Sequence, residues 1–171
     1  MIRKFRGTLP TVASSAYVDP ASTVIGMVTL GARSSVWPGT TLRGDLEPIT
    51  VGDETNIQDG SLVHTDHGFP TRIGNRVTIG HLAVVHGCTI EDDALIGIGA
   101  IVLTGARIGS GAVVAAGALV PEGMEVPADT LVIGTPAKPR RAVSDEEKAR
   151  FARGVAGYVE RAALYKESSG D

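Results

Sequence analysis

"IEDDALIGIGAIVLTGARIGSGAVVAAGALV", residues 90–120, carries an aliphatic side chain at every sixth position. The same spacing extends back to residue 12 after three shifts of frame, two that lengthen it by three and four residues and one that shortens it by one. Most positions four residues after an aliphatic one hold a small side chain. Between them recur Gly, Asn and Asp, which tolerate the left-handed backbone of a sharp corner. The aliphatic series is Val12, Val18, Val24, Leu30, Val36, Leu42, Val51, Ile57, Val63, Ile73, Ile79, Val85, Ile90, Ile96, Val102, Ile108, Val114 and Val120.

This unit predicts an all-β solenoid. One branched and one small inward side chain describe one side of a triangular coil of about 18 residues, and such coils stack by parallel hydrogen bonding about 4.8 Å apart. We expect a parallel β-helix of about six coils within residues 1–138. A C-terminal strap and α-helix, residues 139–171, should pack on the coils. A β-sandwich is the alternative, but its strands alternate with period two and would carry more aromatic residues than the 4% present.

Composition narrows the functional classes. The chain has 16 Lys and Arg against 19 Asp and Glu, and a net charge of −3 gives no electrostatic reason to expect nucleic acid or an anionic membrane as a partner. Cys88 is the single cysteine, so we expect no disulfide framework and a cytoplasmic location. The basic start "MIRKFRGTLP" is not followed by an apolar run that would indicate a signal peptide or a membrane span.

The C-terminal segment predicts one helix. Ser144 and Glu147 have the spacing of a capping box, in which each side chain bonds the backbone N–H of the other residue. An apolar stripe at helical spacing follows, and because two glycines weaken the helix, we expect the stripe to dock on the coils. The last five residues, 167–171, are expected to fray. The stripe comprises Phe151, Val155, Tyr158, Val159, Ala162 and Tyr165.

Three of the four histidines lie where the six-residue frame is disturbed. His64 and His86 each directly follow an inward aliphatic residue, and they are one coil apart, so they should stack on the same side of adjacent coils. His81 belongs to the preceding side, where Asp59 is its counterpart one coil earlier. All three can meet only if the corner that carries His81 faces the His64 and His86 column of another subunit. The spacing therefore predicts a site between subunits, and three such sites in a closed ring of three.

Three converging imidazoles indicate a metal site. Three neutral His ligands leave a tetrahedral ion with one open position, which is the arrangement of a catalytic centre. Such an ion lowers the pKa of its bound water toward neutrality and supplies hydroxide at pH 7. Zn²⁺ fits best, and Fe²⁺ and Co²⁺ also suit imidazole ligands. The structural alternative is a simple stack of surface histidines.

At these positions the sequence resembles the γ-class carbonic anhydrases and their bacterial homologues, in the hexapeptide-repeat, left-handed β-helix superfamily. The resemblance covers essentially the whole chain, including "IGTPAKPRR" and the terminal helix. It implies left-handed coils, a homotrimer, metal ligation by two histidines from one subunit and one from its neighbour, and reversible hydration of carbon dioxide to bicarbonate by a metal-bound hydroxide. The motifs are "RGD" (Arg43, Asp45), "NIQDG" (Asn56, Gln58, Asp59), His64 and "IGHLAVVHGC" (His81, His86).

The same resemblance implies roles for other residues. Arg43 and Asp45 would form a salt bridge across the subunit interface, and Asp59 would contribute further interface contacts. Gln58 would orient the metal-bound hydroxide. Asn56 would lie near the substrate, and Tyr158 would approach the metal site from the helix.

One departure from the family pattern bears on the rate. Leu46 stands where the best-characterised active enzymes have a Glu, and the loop "TDHGFPTR" after His64 lacks their second acidic shuttle. Because hydration must export a proton at each turnover, a missing shuttle limits the rate without preventing metal binding. Asp66 or His67 could substitute, and the alternative is that both are solvated loop residues.

Three other functions stay open. The same metal could serve hydrolysis of an ester or thioester. An acyl-CoA-dependent acyltransferase has the same coils and exit strap, but it relies on one histidine as general base and does not need three in ligand geometry. A non-catalytic assembly subunit is the third, and exposed apolar patches would argue for it.

Overall fold

The computed structural model describes residues 1–169, which form a triangular parallel β-helix followed by one α-helix, α1, at Asp145–Ser169. Most strands are only two or three residues long, because each spans one side of a coil between sharp turns. The strands are β1 Ile2–Arg3, β2 Thr11–Val12, β3 Tyr17–Val18, β4 Thr23–Leu30, β5 Ser35–Val36, β6 Thr41–Val51, β7 Asn56–Ile57, β8 Leu62–His64, β9 Thr71–Ile73, β10 Thr78–Ile79, β11 Val84–His86, β12 Thr89–Ile90, β13 Leu95–Ile96, β14 Ile101–Val102, β15 Arg107–Ile108, β16 Val113–Val114, β17 Leu119–Val120, β18 Glu125–Val126, β19 Thr130–Ile133 and β20 Lys138–Ala142.

Two sheets cover the three sides of the triangle. One side is an eight-stranded sheet in the order β20-β19-β16-β13-β10-β7-β5-β3. A twelve-stranded sheet covers the other two sides, because β6 pairs with β8 through its first residues and with β9 through its last. Strands of neighbouring coils pair in parallel, whereas β19 and β20 pair antiparallel. The chain is therefore the predicted solenoid and not a sandwich.

The core consists of the side chains that the six-residue spacing predicted to face inward. Sixteen of the eighteen aliphatic positions are buried, and the other two, Val12 and Val18, pack against the core from the first coil. The series also continues through Val126 and Val132, both buried, so the solenoid has about seven turns and the expected six were too few. Met124, four residues after Val120, is larger than the small residue that the repeat requires at this inward position. Met124 is only partly buried, since the coils end just beyond it.

One small inward residue lies one position earlier than the spacing predicts. Four residues after Val85 the spacing predicts an inward Thr89, but Cys88 is buried to 2% exposure and Thr89 begins β12. The frame shortens by one residue at this point, so the inward side chain moves back by one. Cys88 is thus a buried member of the core, as a small apolar side chain would be.

The helix is capped and docked as expected. Ser144 N–H donates to Glu147 Oε2 at 3.0 Å, and Glu147 N–H donates to Ser144 Oγ at 3.2 Å, which completes the capping box. The middle of α1 packs on an aromatic cluster, with the Trp37 ring 5.4 Å from Tyr158 and 5.6 Å from Tyr17. Within residues 1–169, no helix is long and apolar enough to span a membrane.

The helix extends into the segment that the sequence predicted to fray. Residues 167–169 belong to α1, so the expected fraying there was wrong, and residues 170–171 lie outside the described part of the chain. At the other end of the strap, β20 begins at Lys138 and pairs with β19. Our division of the chain at residue 138 stays a prediction.

Candidate metal centre

His64 and His86 lie opposite each other on adjacent parallel strands. They are paired in register at the ends of β8 and β11, directly after the inward-facing Val63 and Val85. Because side chains alternate along a strand, both imidazoles point outward from the coils. Nδ1 of His64 is 3.1 Å from Nε2 of His86. The predicted stacking of these two histidines on adjacent coils is therefore confirmed.

Asp45 holds the far side of the His64 ring. Its Oδ1 is 2.9 Å from Nε2 of His64, and its Oδ2 is bonded by the Arg43 guanidinium of the same chain. Burial alone would raise the pKa of Asp45, but the hydrogen bonds from His64 and Arg43 outweigh it and hold the pKa below its ordinary value. An ionised carboxylate can only accept, so Nε2–H of His64 donates, and in the neutral ring that a metal ligand must be, Nδ1 then presents its lone pair toward His86. Pairing of Arg43 with Asp45 across an interface stays a prediction.

Thr104, in the next coil, holds the far side of the His86 ring. Its hydroxyl oxygen is 3.0 Å from Nδ1 of His86. Burial, and then the neighbouring His64, lower the pKa of His86, which favours the neutral imidazole that a metal ligand must be. Sequence reasoning missed Thr104. The only signal was its position in the next coil, one residue beyond the counterpart of His86, and that position does not by itself indicate a side-chain contact.

His81 lies on the preceding corner, held by Asp59. Oδ2 of Asp59 is 2.9 Å from Nδ1 of His81, and the two residues occupy corresponding positions in adjacent coils. Its other ring nitrogen, Nε2, is the one left for a metal. The His81 side chain is 41% exposed, in contrast to the buried His64, so it projects from the corner of the coil.

Gln58 and Asn56 form a polar chain next to Asp59. Nε2 of Gln58 donates to Oδ1 of Asn56 at 3.0 Å, and Nδ2 of Asn56 donates to the Thr78 hydroxyl at 3.0 Å. Both amides are buried. Because this chain uses the amide N–H of Gln58, its carbonyl oxygen remains as an acceptor.

The structure thus divides the predicted site residues into two groups. His64 and His86 with Asp45 form one group, and His81 with Asp59 and Gln58 forms the other. Within residues 1–169, no set of three or more His, Cys, Asp or Glu side chains comes close enough to hold an ion. In a single chain, therefore, the three histidines do not converge.

The donor set fits a zinc-like ion. Two imidazole nitrogens bound to tetrahedral zinc at about 2.05 Å lie about 3.3 Å apart, close to the 3.1 Å between His64 and His86. Each of the three histidines also has its other ring nitrogen within 3.0 Å of a protein oxygen, of Asp45, Thr104 and Asp59 respectively. Such contacts fix the orientation of metal-ligating imidazoles.

The segment at Leu46 and the loop after His64, which lack the acidic shuttle residues of the family, pack against each other. Leu46 is exposed, whereas Glu47 turns toward the loop after His64, and its carboxylate accepts a hydrogen bond from Gly68 N–H at 3.0 Å. Asp66 is half-buried and His67 is exposed on that loop. A proton-transfer role for Asp66 or His67 stays a prediction.

Tyr158 lies on the helix side of the coils. Its ring packs edge-on against Trp37, and Arg161 lies 4.4 Å from the ring centroid. Burial raises the pKa of its phenol. Trp37 and Gln58 directly follow paired residues of β5 and β7, so they occupy corresponding positions in adjacent coils. The Trp37 indole, against which Tyr158 packs, is therefore next to the coil that carries Gln58. A direct approach of Tyr158 to the metal stays a prediction.

Comparison with known proteins gives matches over nearly the whole chain. The bacterial transferase hexapeptide family (six repeats) matches residues 87–122, which are regular coils beyond the three histidines. Gamma carbonic anhydrase 2, a mitochondrial protein of Arabidopsis thaliana, is 43% identical over 162 residues, covering 91% of this chain and 58% of that protein. The chain therefore spans less than two thirds of the length of that relative.

Two other relatives match this chain end to end. A carbonic anhydrase of Geobacillus kaustophilus is 41% identical over 166 residues, covering 97% of this chain and 91% of the relative. The solved structure of a candidate acetyltransferase from Bacillus cereus superposes with a TM-score of 0.96 at 40% identity, covering 97% of this chain and 96% of that one. These matches agree with left-handed coils.

Proposed function

The chain belongs to the γ-class carbonic anhydrase family of hexapeptide-repeat proteins, and we propose that it catalyses the reversible hydration of carbon dioxide at metal sites between the subunits of a homotrimer. One observation carries the proposal: each of three imidazoles is held by a protein oxygen, yet one of them lies apart from the other two. Carbonic anhydrase is the printed name of relatives that are 41% and 43% identical. We also propose that the protein is located in the cytoplasm.

Apolar side chains that are exposed or half-buried beside both groups of histidines support the trimer. An outward column of paired residues, Leu62, Val84, Ile101 and Leu119, runs along the side that carries His64 and His86. At the other corner, Leu82 is 66% exposed and Ile98 is 55% exposed beside His81. Apolar surface of this kind favours burial against another subunit. A head-to-tail contact that joins the two surfaces closes into a ring at the right rotation.

His64 and His86 of one subunit would then hold the metal together with His81 of the next. Zinc is our first choice, and iron and cobalt also accept imidazole ligands. When bound, the ion would lower the pKa of a water molecule enough for it to act as a nucleophile near neutral pH. Asp45, Thr104 and Asp59 would keep the three rings in ligand orientation.

Gln58 would orient the attacking water. Its carbonyl oxygen can accept a hydrogen bond from that water, because Gln58 contacts Asn56 through its amide nitrogen and not through its oxygen. Holding the nucleophile in one orientation lowers the entropic part of the barrier. Asn56 would stabilise Gln58 and lie beside the substrate, and Tyr158 would border the site from the helix. With Leu46 in place of an acidic residue, proton export would limit turnover.

Metal analysis of protein purified without oxygen, paired with stopped-flow hydration of carbon dioxide, tests the proposal. We expect about one metal ion per chain, and hydration that a chelator abolishes and added zinc or iron restores. A fully metallated trimer that does not accelerate hydration above buffer would overturn the proposed activity.

Acyl transfer from coenzyme A is the second candidate, favoured by the Bacillus cereus structure described as an acetyltransferase. Three histidines whose ring nitrogens each contact a protein oxygen argue against this candidate, because acyl transfer needs only one histidine as general base. The same preparation should therefore neither bind acetyl-CoA in calorimetry nor release free CoA from it. Saturable acetyl-CoA binding without stoichiometric metal would favour acyl transfer.

A further inference from the structure

Thr104 has a constrained position beside His86. Its hydroxyl oxygen lies 3.0 Å from Nδ1 of His86, and its backbone carbonyl accepts from Gly123 N–H at 2.9 Å. Its methyl group faces Gly87, since a Cβ built on that glycine would lie 3.3 Å from Cγ2 of Thr104. The methyl and the backbone contacts together keep the hydroxyl directed at the imidazole.

We propose that Thr104 is a positioning residue that lets His86 move its single proton between ring nitrogens, so that Nε2 can bind the metal. The inference rests on the proposed function, because that function makes Nε2 of His86 the nitrogen that binds the metal. It follows from counting protons in the chain of contacts from Asp45 through His64 and His86 to Thr104.

The contact between the two histidines sets the first arrangement. In a neutral His64 ring whose Nε2–H donates to Asp45, Nδ1 can only accept. Without a cation, the 3.1 Å contact requires that Nε2–H of His86 donate to it. Nδ1 of His86 then carries no proton and accepts a hydrogen bond from the hydroxyl of Thr104.

A bound metal requires the second arrangement. Both facing nitrogens, Nδ1 of His64 and Nε2 of His86, must then present lone pairs. The proton of neutral His86 must lie on Nδ1, where it donates to the oxygen of Thr104. A hydroxyl serves both arrangements because it can donate or accept after rotation of its hydrogen, whereas a carboxylate only accepts.

Two substitutions separate this role from packing. Thr104→Val keeps the shape but removes the hydroxyl, and Thr104→Ser keeps the hydroxyl but removes the methyl. Competition with a chromophoric chelator should give zinc binding about 10- to 100-fold weaker for Thr104→Val, the usual effect of losing such a contact. Thr104→Ser should restore most of the affinity. Thr130→Val, which removes an exposed hydroxyl bonded to Ala128, is the matched control and should bind zinc normally.

Nitrogen-15 NMR of the histidine rings shows directly which ring nitrogen carries the proton. We expect His86 to carry it on Nε2 in metal-free protein and on Nδ1 after zinc loading. Unchanged zinc affinity in Thr104→Val, or a proton on Nδ1 in the metal-free protein, would overturn the inference. Wild-type protein that binds no zinc would overturn the proposed function instead, and the metal-free spectrum would still decide the role of Thr104.

Discussion

Nδ1 of His64 and Nε2 of His86 face each other at 3.1 Å across two adjacent coils. At that distance the two nitrogens need either a proton or a cation between them, because two lone pairs repel. Asp45 and Thr104 hold the opposite edges of the rings, so the pair cannot readily turn apart. A regular repeat needs only a small or aliphatic side chain at each inward position, so the repeat itself does not require this outward pair.

Gln58→Leu should reduce turnover without removing the metal. The substitution keeps the volume but removes the carbonyl acceptor and the hydrogen bond to Asn56. One net hydrogen bond is worth about 1 kcal/mol, so we expect kcat to fall about five- to tenfold. Metal content and the unfolding temperature serve as controls. Loss of metal together with activity would mean that Gln58 supports the ligands and not the nucleophile.

Leu82→Asn should stabilise the isolated chain and weaken the trimer. Leu82 has φ +59°, whereas every other non-glycine residue with positive φ in the described chain is charged. Asn tolerates this backbone better, so relief of strain should raise the free energy of unfolding of the monomer by about 1 kcal/mol. The lost apolar burial should raise the dissociation constant of the trimer about tenfold or more.

Light scattering over a dilution series measures that dissociation constant. Leu164→Asn is the matched control, since Leu164 is 59% exposed on α1, away from the histidines, and its replacement should leave assembly unchanged. A Leu82→Asn protein that assembles like the wild type would remove this corner from the interface.

Cys88 should not react with thiol reagents while the protein is folded. Its side chain is 2% exposed, and burial raises the pKa of its thiol to about 12. At pH 8 about one molecule in 10,000 would then carry the thiolate, which is the reactive form. Ellman's reagent should give no colour with native protein and one thiol per chain in guanidinium. Rapid modification of the native form would contradict the burial.

The cap of α1 should make stability depend on acidity. The hydrogen bond from Arg141, together with one from Ser144 N–H, lowers the pKa of Glu147 from 4.5 to about 2. Because the folded-state pKa is depressed, the stabilisation is fully present above pH 4.5 and is lost as the pH falls through about 2. The difference in unfolding free energy between wild type and Glu147→Gln should shrink over that range.

Circular dichroism melts from pH 7 to pH 2 measure this difference. Arg141→Gln removes the largest cause of the shift and should flatten the same profile. A difference between wild type and Glu147→Gln that stays constant down to pH 2 would rule out the depressed pKa.

The repeat made the fold and the His64 and His86 pair predictable from the sequence. Each inward residue meets the same environment in every coil, so the spacing alone identifies buried residues such as Val63 and Val85. Where the frame shortens, that logic fails by one residue, as at Cys88. Handedness came only from the family resemblance, because a six-residue period is the same for either hand.

Contacts that depend on side-chain conformation could not be predicted. The contact of Thr104 with His86 joins two coils and depends on which way the hydroxyl rotates. The hydrogen bond between Glu47 and Gly68 forms because β6 bulges between Gly44 and Ile49, which the repeat pattern does not encode. The seventh turn was not predicted, because Met124 departs from the small residue of the repeat although the coils continue through Val126 and Val132.

Mixing two inactive variants tests most directly whether the site is shared between subunits. His81→Ala and His86→Ala should each bind almost no zinc when purified alone. After co-refolding at equal amounts, random assembly into closed trimers should restore about one quarter of the wild-type zinc. A site is intact only where a His81→Ala chain supplies His64 and His86 and a His86→Ala neighbour supplies His81. A mixture that recovers no zinc, or a His81→Ala protein that retains its full metal content alone, would contradict the account.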